Sequence, residues 1–213
     1  TRGFERQLRQ TSDQHLAVIA EIKRKSPSKG DLFACLDPSV VARQYESGGA
    51  SCLSVLTDQQ FFGGSVTDLQ QARSATDLPV IRKDFTVSEF DVVDARLMGA
   101  DCVLLIAAVL SASELQRFHD LATEIGLDVL IETHDESELD RVLGVGARLV
   151  GVNQRDLRTF EVDHQRAERM AALIPTSAIR IAESGVRDVA DAQRLRNAGY
   201  DAVLVGESIV TSG

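Results

Sequence analysis

The chain has 213 residues, 44% of them hydrophobic, and a formal net charge of -9, which suits a single globular domain spanning 1–213 with a large core and argues against nucleic acid or an anionic membrane surface as main partner, since both require a basic patch. No apolar stretch reaches membrane-spanning length and no signal peptide opens the sequence. The three cysteines (Cys35, Cys52, Cys102) and four histidines (His15, His119, His134, His164) show neither a disulfide framework nor metal-ligand spacing, so a reducing cytoplasm is the expected setting and no metal site is expected.

Along the chain, the first predicted strand, 16–22, is an apolar run that ends in Glu21-Ile-Lys23 and leaves through Lys-Ser26-Pro-Ser-Lys-Gly30. Period-2 geometry puts Glu21 and Lys23 on one face. They read either as a solvated ion pair or as an acid and base placed for chemistry. Further aliphatic runs predict strands at 52–56, 79–82, 102–107, 128–132, 148–152, 179–182 and 202–205. Gly49-Ala-Ser-Cys52, Gly99-Ala-Asp-Cys102, Gly146-Ala-Arg148 and Gly199-Tyr-Asp-Ala202 each precede such a run, a weak repeat of about fifty residues holding two β/α units per copy.

Between the strands lie amphipathic segments with helix-start chemistry. Asp37-Pro38 supplies an N-cap with proline at N1, Ser111-x-x-Glu114 and Asp135-x-x-Glu138 resemble capping boxes, and Gly49, Gly99, Gly146 and Gly199 fall where helices end. Eight near-continuous Val/Leu/Ile runs alternating with helices predict a parallel sheet covered on both sides, closed as a (β/α)8 TIM barrel. An open doubly wound sheet is the alternative, but no G-x-G-x-x-G turn follows the first strand or appears elsewhere.

A barrel builds its active site from the C-terminal ends of its strands. Those ends carry Glu21 and Lys23, Arg82-Lys83-Asp84-Phe85, Glu132, Asn153 with Arg155, Glu183-Ser184, and Gly206. So many charges converging on one mouth cost several kcal/mol each unless they pair among themselves. Ser184-Gly185 and Gly206-Glu207 read either as turn glycines or as a phosphate cradle of bare backbone N–H groups, with Lys23 and Arg155 near the same rim. Phe61-Phe62 and Phe85 either cap the core or line, with Leu157, an apolar slot for a flat ring.

These residues in this order resemble the indole-3-glycerol phosphate synthase family. The resemblance rests on Glu21-Ile-Lys23-x-x-Ser26-Pro-Ser-x-Gly30, Ser54-Val-Leu-Thr-Asp58 with Phe62-Gly-Gly-Ser65, and Leu78-Pro-Val-Ile-Arg-Lys83-Asp-Phe85. It continues in Ile131-Glu132-Thr-His134, Gly151-Val-Asn153-Gln-Arg155-Asp-Leu157 and Ala182-Glu183-Ser184-Gly185, and covers about residues 15–210. It implies a cofactor-free lyase that closes the ring of 1-(2-carboxyphenylamino)-1-deoxyribulose 5-phosphate with loss of CO2 and water. By resemblance Lys83 protonates the carbonyl oxygen, Glu132 handles the second proton transfer, Asn153 and Glu183 position the intermediate, and Glu21 is an alternative base. Lys23 bridges to the phosphate or acts as a second acid. Ser26, Phe62, Phe85, Arg155, Leu157 and Ser184 are expected to bind substrate, and Lys23, Ser184, Gly185, Gly206 and Glu207 its phosphate.

The family's longer N-terminal extension and eighth helix look absent here. The outer face of the eighth strand is therefore expected to lack cover unless the Phe4–Leu8 segment or a partner subunit supplies it. A monomer or weak homo-oligomer is expected, and Lys83 should be removable without harm to the fold. Two rivals remain: a lysine forming a Schiff base with a ketose phosphate, and a non-enzymatic phosphate-binding scaffold.

Overall fold

The computed structural model describes residues 1–26, 30–32, 36–156, 159 and 161–206, with the side chain of Asp31 left out. Eight parallel strands, numbered here in chain order, close a barrel: β1 (Ala17–Ile22), β2 (Cys52–Val55), β3 (Val80–Arg82), β4 (Cys102–Ile106), β5 (Asp128–Thr133), β6 (Leu149–Asn153), β7 (Ile179–Glu183) and β8 (Ala202–Val205). Each pairs with its sequence neighbours, and β8 returns to β1 with Ala17 opposite Ala202. A two-residue antiparallel ribbon, Lys25–Ser26 against Gly30–Asp31, follows β1. No helix among the described residues is long and apolar enough to cross a membrane.

The alternation along each strand separates two apolar clusters. Ile19, Cys52, Ile81, Cys102, Leu104, Leu130, Leu149, Ile181 and Leu204 fill the barrel. Their neighbours, among them Ala20, Leu53, Val103, Ile131, Val150 and Val203, join a second cluster with helix residues such as Leu69, Val92, Leu115, Phe118 and Leu139. Strands apolar on both faces read as continuous hydrophobic runs for this reason. The helix Pro38–Ser47 starts as expected, with Asp37 accepting from the Ser39 and Val40 amides. Gly49, Gly99, Gly146 and Gly199 all adopt positive φ, the left-handed turn that lets a helix stop and the next strand begin.

Two expectations about the ends need correction. Val203 and Val205, thought to be uncovered, are 2% and 8% exposed and belong to the outer cluster. The expectation about an eighth helix falls on 207–213, outside the described residues. Nor does the N-terminal segment lie on the outer face of β8. The helix Phe4–Ser12 places Phe4 and Leu8, one turn apart, in the cluster inside the barrel. It is held at the strands' N-terminal ends: Arg2 N donates to Asp101 (2.6 Å), Glu5 N donates to Asp128 (3.0 Å), and the Glu5 carboxylate pairs with Arg148 (2.8 Å). The helix is a plug at the face opposite the mouth. Phe4→Ala should cost about 3–5 kcal/mol, lowering Tm by about 6–20 °C for a domain of this size. A calorimetric shift under about 3 °C would contradict the plug.

Candidate active site

Inside the barrel the same period-2 register that carries aliphatic side chains turns to charge within one step at the C-terminal ends. Ile19 is followed by Glu21 and Lys23, Ile81 by Lys83, Leu130 by Glu132 and His134, Leu149 by Gly151 and Asn153, Ile181 by Glu183, and Leu204 by Gly206. The apolar layers form the floor and the charged layer faces a cavity of ≈ 990 Å³. Glu21, Lys23, Ser26, Phe62, Lys83, Phe85, Glu132, Asn153, Arg155, Glu183, Ser184, Gly185 and Gly206 all line it. The other two expected site residues, Leu157 and Glu207, lie outside the described residues.

The charges do pair within the ring. Lys83 Nζ sits 3.1 Å from Glu132 Oε2 and 3.0 Å from Glu183 Oε2, and only 13% of its side chain is exposed. Lys23 Nζ is 2.7 Å from Glu21, to which Ser54 Oγ also donates at 3.5 Å. Asn153 is fixed at both ends of its amide: Nδ2 donates to Glu132 Oε1 (3.0 Å) and Oδ1 accepts from Arg155 N (3.0 Å). Glycine makes room for two of the carboxylates. A Cβ on Gly151 would overlap Glu183 Oε1, and one on Gly206 would lie 2.9 Å from Glu21 Oε1.

The carboxylates are not equivalent. Glu132 accepts from Lys83 and Asn153, and His134 Nε2 lies 3.3 Å from it without an aligned hydrogen bond. Burial opposes its charge, but these donors hold its pKa well below the carboxylate range. Glu183 is 1% exposed, and neither of its oxygens receives an aligned hydrogen bond among the described residues. Burial, with the field of Glu132 added, outweighs Lys83 and pushes its pKa up to about 7. For Lys83 burial disfavours the ammonium, yet Glu183, Glu132 and Glu21 raise its pKa far above the ordinary lysine value. His134, whose partial burial disfavours the charge but which faces Glu132 and Glu138, is raised to about 9.

These shifts set a stability profile. Glu183 and His134 both bind protons more tightly folded than unfolded, so the stability they contribute is complete below their unfolded pKa values and is lost as pH rises. The loss runs through about 7 for Glu183 and about 9 for His134. Urea midpoints should therefore fall from pH 5 to pH 9, with Glu183→Gln removing the part that ends near 7. A midpoint that rises over this range would contradict the assigned protonation states.

At the rim, Ser184 and Gly185 take consecutive left-handed conformations, φ 62° and 75°, and a serine held there marks local strain. Gln154 Nε2 donates to Ser184 O at 2.7 Å. Because a peptide's C=O and N–H point opposite ways, that bond turns the Gly185 N–H away from Gln154. The phenylalanines are not core caps: Phe61 and Phe85 are 51% and 47% exposed and face the cavity. Their two loops are tied together by Asp84, which accepts from the amides of Thr57 and Asp58 and from Arg82. Lys25 Nζ donates to Gln60 O, bracing the ribbon against the loop that carries Phe61.

Sequence reasoning missed His134, Gln154 and Asp84 as supports, and His164 and Arg187 as lining residues. His134 had a signal available: it follows Glu132 at i+2, as Lys23 follows Glu21. The other four depend on loop geometry.

The family described as indole-3-glycerol phosphate synthase matches over residues 1–213. Proteins of that name are similar at high identity. One from Nocardioides sp. is 50% identical over 197 residues, 92% of this chain and 76% of the relative. One from Leifsonia xyli subsp. xyli is 51% identical over 195 residues, covering 92% and 75%. Indole-3-glycerol phosphate synthase 1 of Streptomyces coelicolor is 50% identical over 194 residues, covering 91% and 72%. Among solved structures, N-acetylmannosamine-6-phosphate 2-epimerase from Clostridium perfringens superposes with a TM-score of 0.70 at 14% identity, covering 92% of this chain and 87% of that one, a likeness of fold alone. With the motif residues gathered at one mouth and half of all positions shared across the barrel, the chain belongs to the indole-3-glycerol phosphate synthase family.

Proposed function

We propose that this mouth converts 1-(2-carboxyphenylamino)-1-deoxyribulose 5-phosphate into indole-3-glycerol phosphate, CO2 and water, with Lys83 as the acid at the ketone oxygen. The ring carbon bearing the carboxylate attacks the ketone carbon, and the oxygen takes a proton from Lys83. The carboxylate then leaves as CO2, returning its bonding pair to the ring. Finally the new hydroxyl leaves as water after taking a second proton, while Glu132 removes one from the adjacent carbon. The net uptake of one proton balances the lost carboxylate charge. These are proton transfers and a decarboxylation into a ring, so the steps call for no redox or metal cofactor.

The observation that carries this reading is the Lys83 ammonium held between Glu132 and Glu183 on the floor of the cavity. An ammonium so placed is charged throughout the working range and supplies its field and hydrogen bond where the oxyanion develops. Asn153 and Glu183 position the intermediate, and Glu21 pairs with Lys23 at rest. Lys23 then turns to the substrate phosphate, which the Ser184, Gly185 and Gly206 rim accepts, with Glu207 as a further expected contact. Phe62, Phe85 and Leu157 take the aromatic ring, and Ser26 and Arg155 bind substrate polar groups. The enzyme would work in the cytoplasm, as a monomer or weak homo-oligomer.

The Schiff-base rival needs a neutral amine, and Lys83 in this setting stays protonated. Incubation with the carboxyphenylamino ribulose phosphate should give indole fluorescence without a borohydride-trapped adduct on Lys83. Trapping at Lys83 without indole supports the Schiff-base rival; phosphate binding without turnover supports the scaffold.

A further inference from the structure

Five of the described helix N-termini show a Ser/Asp cap with an acidic residue at N3: Ser65 with Asp68, Ser88 with Asp91, Ser111 with Glu114, Asp135 with Glu138 and Asp188 with Asp191. After Ser88 and Ser111 the acid closes a reciprocal box onto its own cap amide. After β5 it does not. Asp135 accepts from Glu138 N (2.8 Å), but the Glu138 carboxylate is spent elsewhere: Oε2 accepts from His134 N (2.7 Å) and lies 3.2 Å from His134 Nδ1. The other ring nitrogen, Nε2, lies 3.3 Å from Glu132 Oε1. The partly buried imidazole therefore stands between a carboxylate of the active-site ring, which Nε2 faces at ion-pair distance without an aligned hydrogen bond, and a carboxylate in the first turn of the helix Glu136–Gly144, where the helix dipole also favours negative charge.

Among the described residues Glu132 thus has Lys83, Asn153 and His134 around it, while Glu183 has Lys83 alone. Two carboxylates flanking one ammonium share a single excess proton more readily than they both ionise, and the better-solvated partner stays charged. Building on the ring-closure reading, we propose that His134, anchored by Glu138, is a positioning residue that keeps Glu132 the ionised member of the pair around Lys83 and leaves the proton on Glu183. The groups facing His134 are Glu132, Glu138 and Asp135, with Lys83 beyond Glu132. The arrangement assigns the roles: Glu132 is ready to accept a proton, and Glu183 has one to give.

The test compares His134→Leu, His134→Gln and Glu138→Gln with the wild-type chain. His134→Leu should lower kcat about 100-fold, as loss of alignment at a reacting group does, with KM moved less than about twofold. Removing the cation should also shift the limb of the kcat/KM profile near pH 7 upward by about one unit. His134→Gln, which keeps an N–H near the Nε2 position, should recover part of kcat. Glu138→Gln, which keeps His134 but removes its anchor, should move the limb the same way by less. The side-chain 13C shift of Glu183, read in each variant without substrate, should titrate to match. Wild-type kcat and an unmoved Glu183 titration in a folded His134→Leu chain overturn the positioning role. Failure of the wild-type chain itself to make indole overturns the ring-closure reading instead, while the 13C titration still decides the proton's place.

Discussion

Lys83→Met lowers kcat at least 100-fold, the usual contribution of a positioned general acid. A residual activity above about a tenth would refute the role. The substitution also destabilises the fold, contrary to what the sequence suggests for a lysine at a solvent-facing mouth. With 13% of its side chain exposed and carboxylates at 3.1 and 3.0 Å, Lys83 is a buried counter-ion, and removing one partner of such a group costs about 3–5 kcal/mol. The penalty depends on pH. In the wild type Glu183 carries a proton below about 7; without Lys83, which lowers that pKa, it keeps the proton to higher pH, so above about 7 the variant must hold a proton that the wild-type fold releases. Urea midpoints should therefore separate from wild type more at pH 8.5 than at pH 5.5. A constant gap would mean that Glu183 is not the group holding that proton.

Gly151→Ala is the smallest change with a comparable effect. The added methyl occupies the place of Glu183 Oε1, so the carboxylate must turn away from Lys83 or β6 must move outward. Since Gly151 pairs in register with Glu132 on β5 and Ile181 on β7, a shift of the strand disturbs both sides of the ring. Displacing an aligned group by about 1 Å costs on the order of 100-fold in rate, and overpacking typically adds 1–3 kcal/mol of destabilisation. Steady-state kinetics with a crystal structure of the variant checks this. An unchanged kcat with Glu183 in place would show that the glycine serves some other purpose.

The barrel was legible because its strands are apolar on both faces and their helices begin and end on strong local signals. The expected 128–132 and 179–182 run one residue longer in the structure, to Thr133 and Glu183, since Thr133 still pairs with Val152 and the inward-pointing Glu183 with Asn153 and Leu204. The motif residues were legible through their placement at strand ends. What could not be read was support. The helix Phe4–Ser12 carries only Phe4 and Leu8 as large apolar residues, too few for a periodicity argument, and its burial depends on the hole left at the barrel's base. His134 looked like one of four scattered histidines, because its partner Glu138 seemed committed to a capping box. Gln154 and the left-handed Ser184 act through a single backbone carbonyl, which no side-chain pattern announces.

The most direct test of the account is a crystal structure with indole-3-glycerol phosphate bound. The account predicts the phosphate within hydrogen-bond distance of the Gly185 N–H and against Gly206, the indole ring beside Phe62 and Phe85, and Lys83 and Glu132 facing the ring carbons formed at closure. A phosphate seated elsewhere on the barrel, or a ring more than a side chain's length from Lys83, would contradict it.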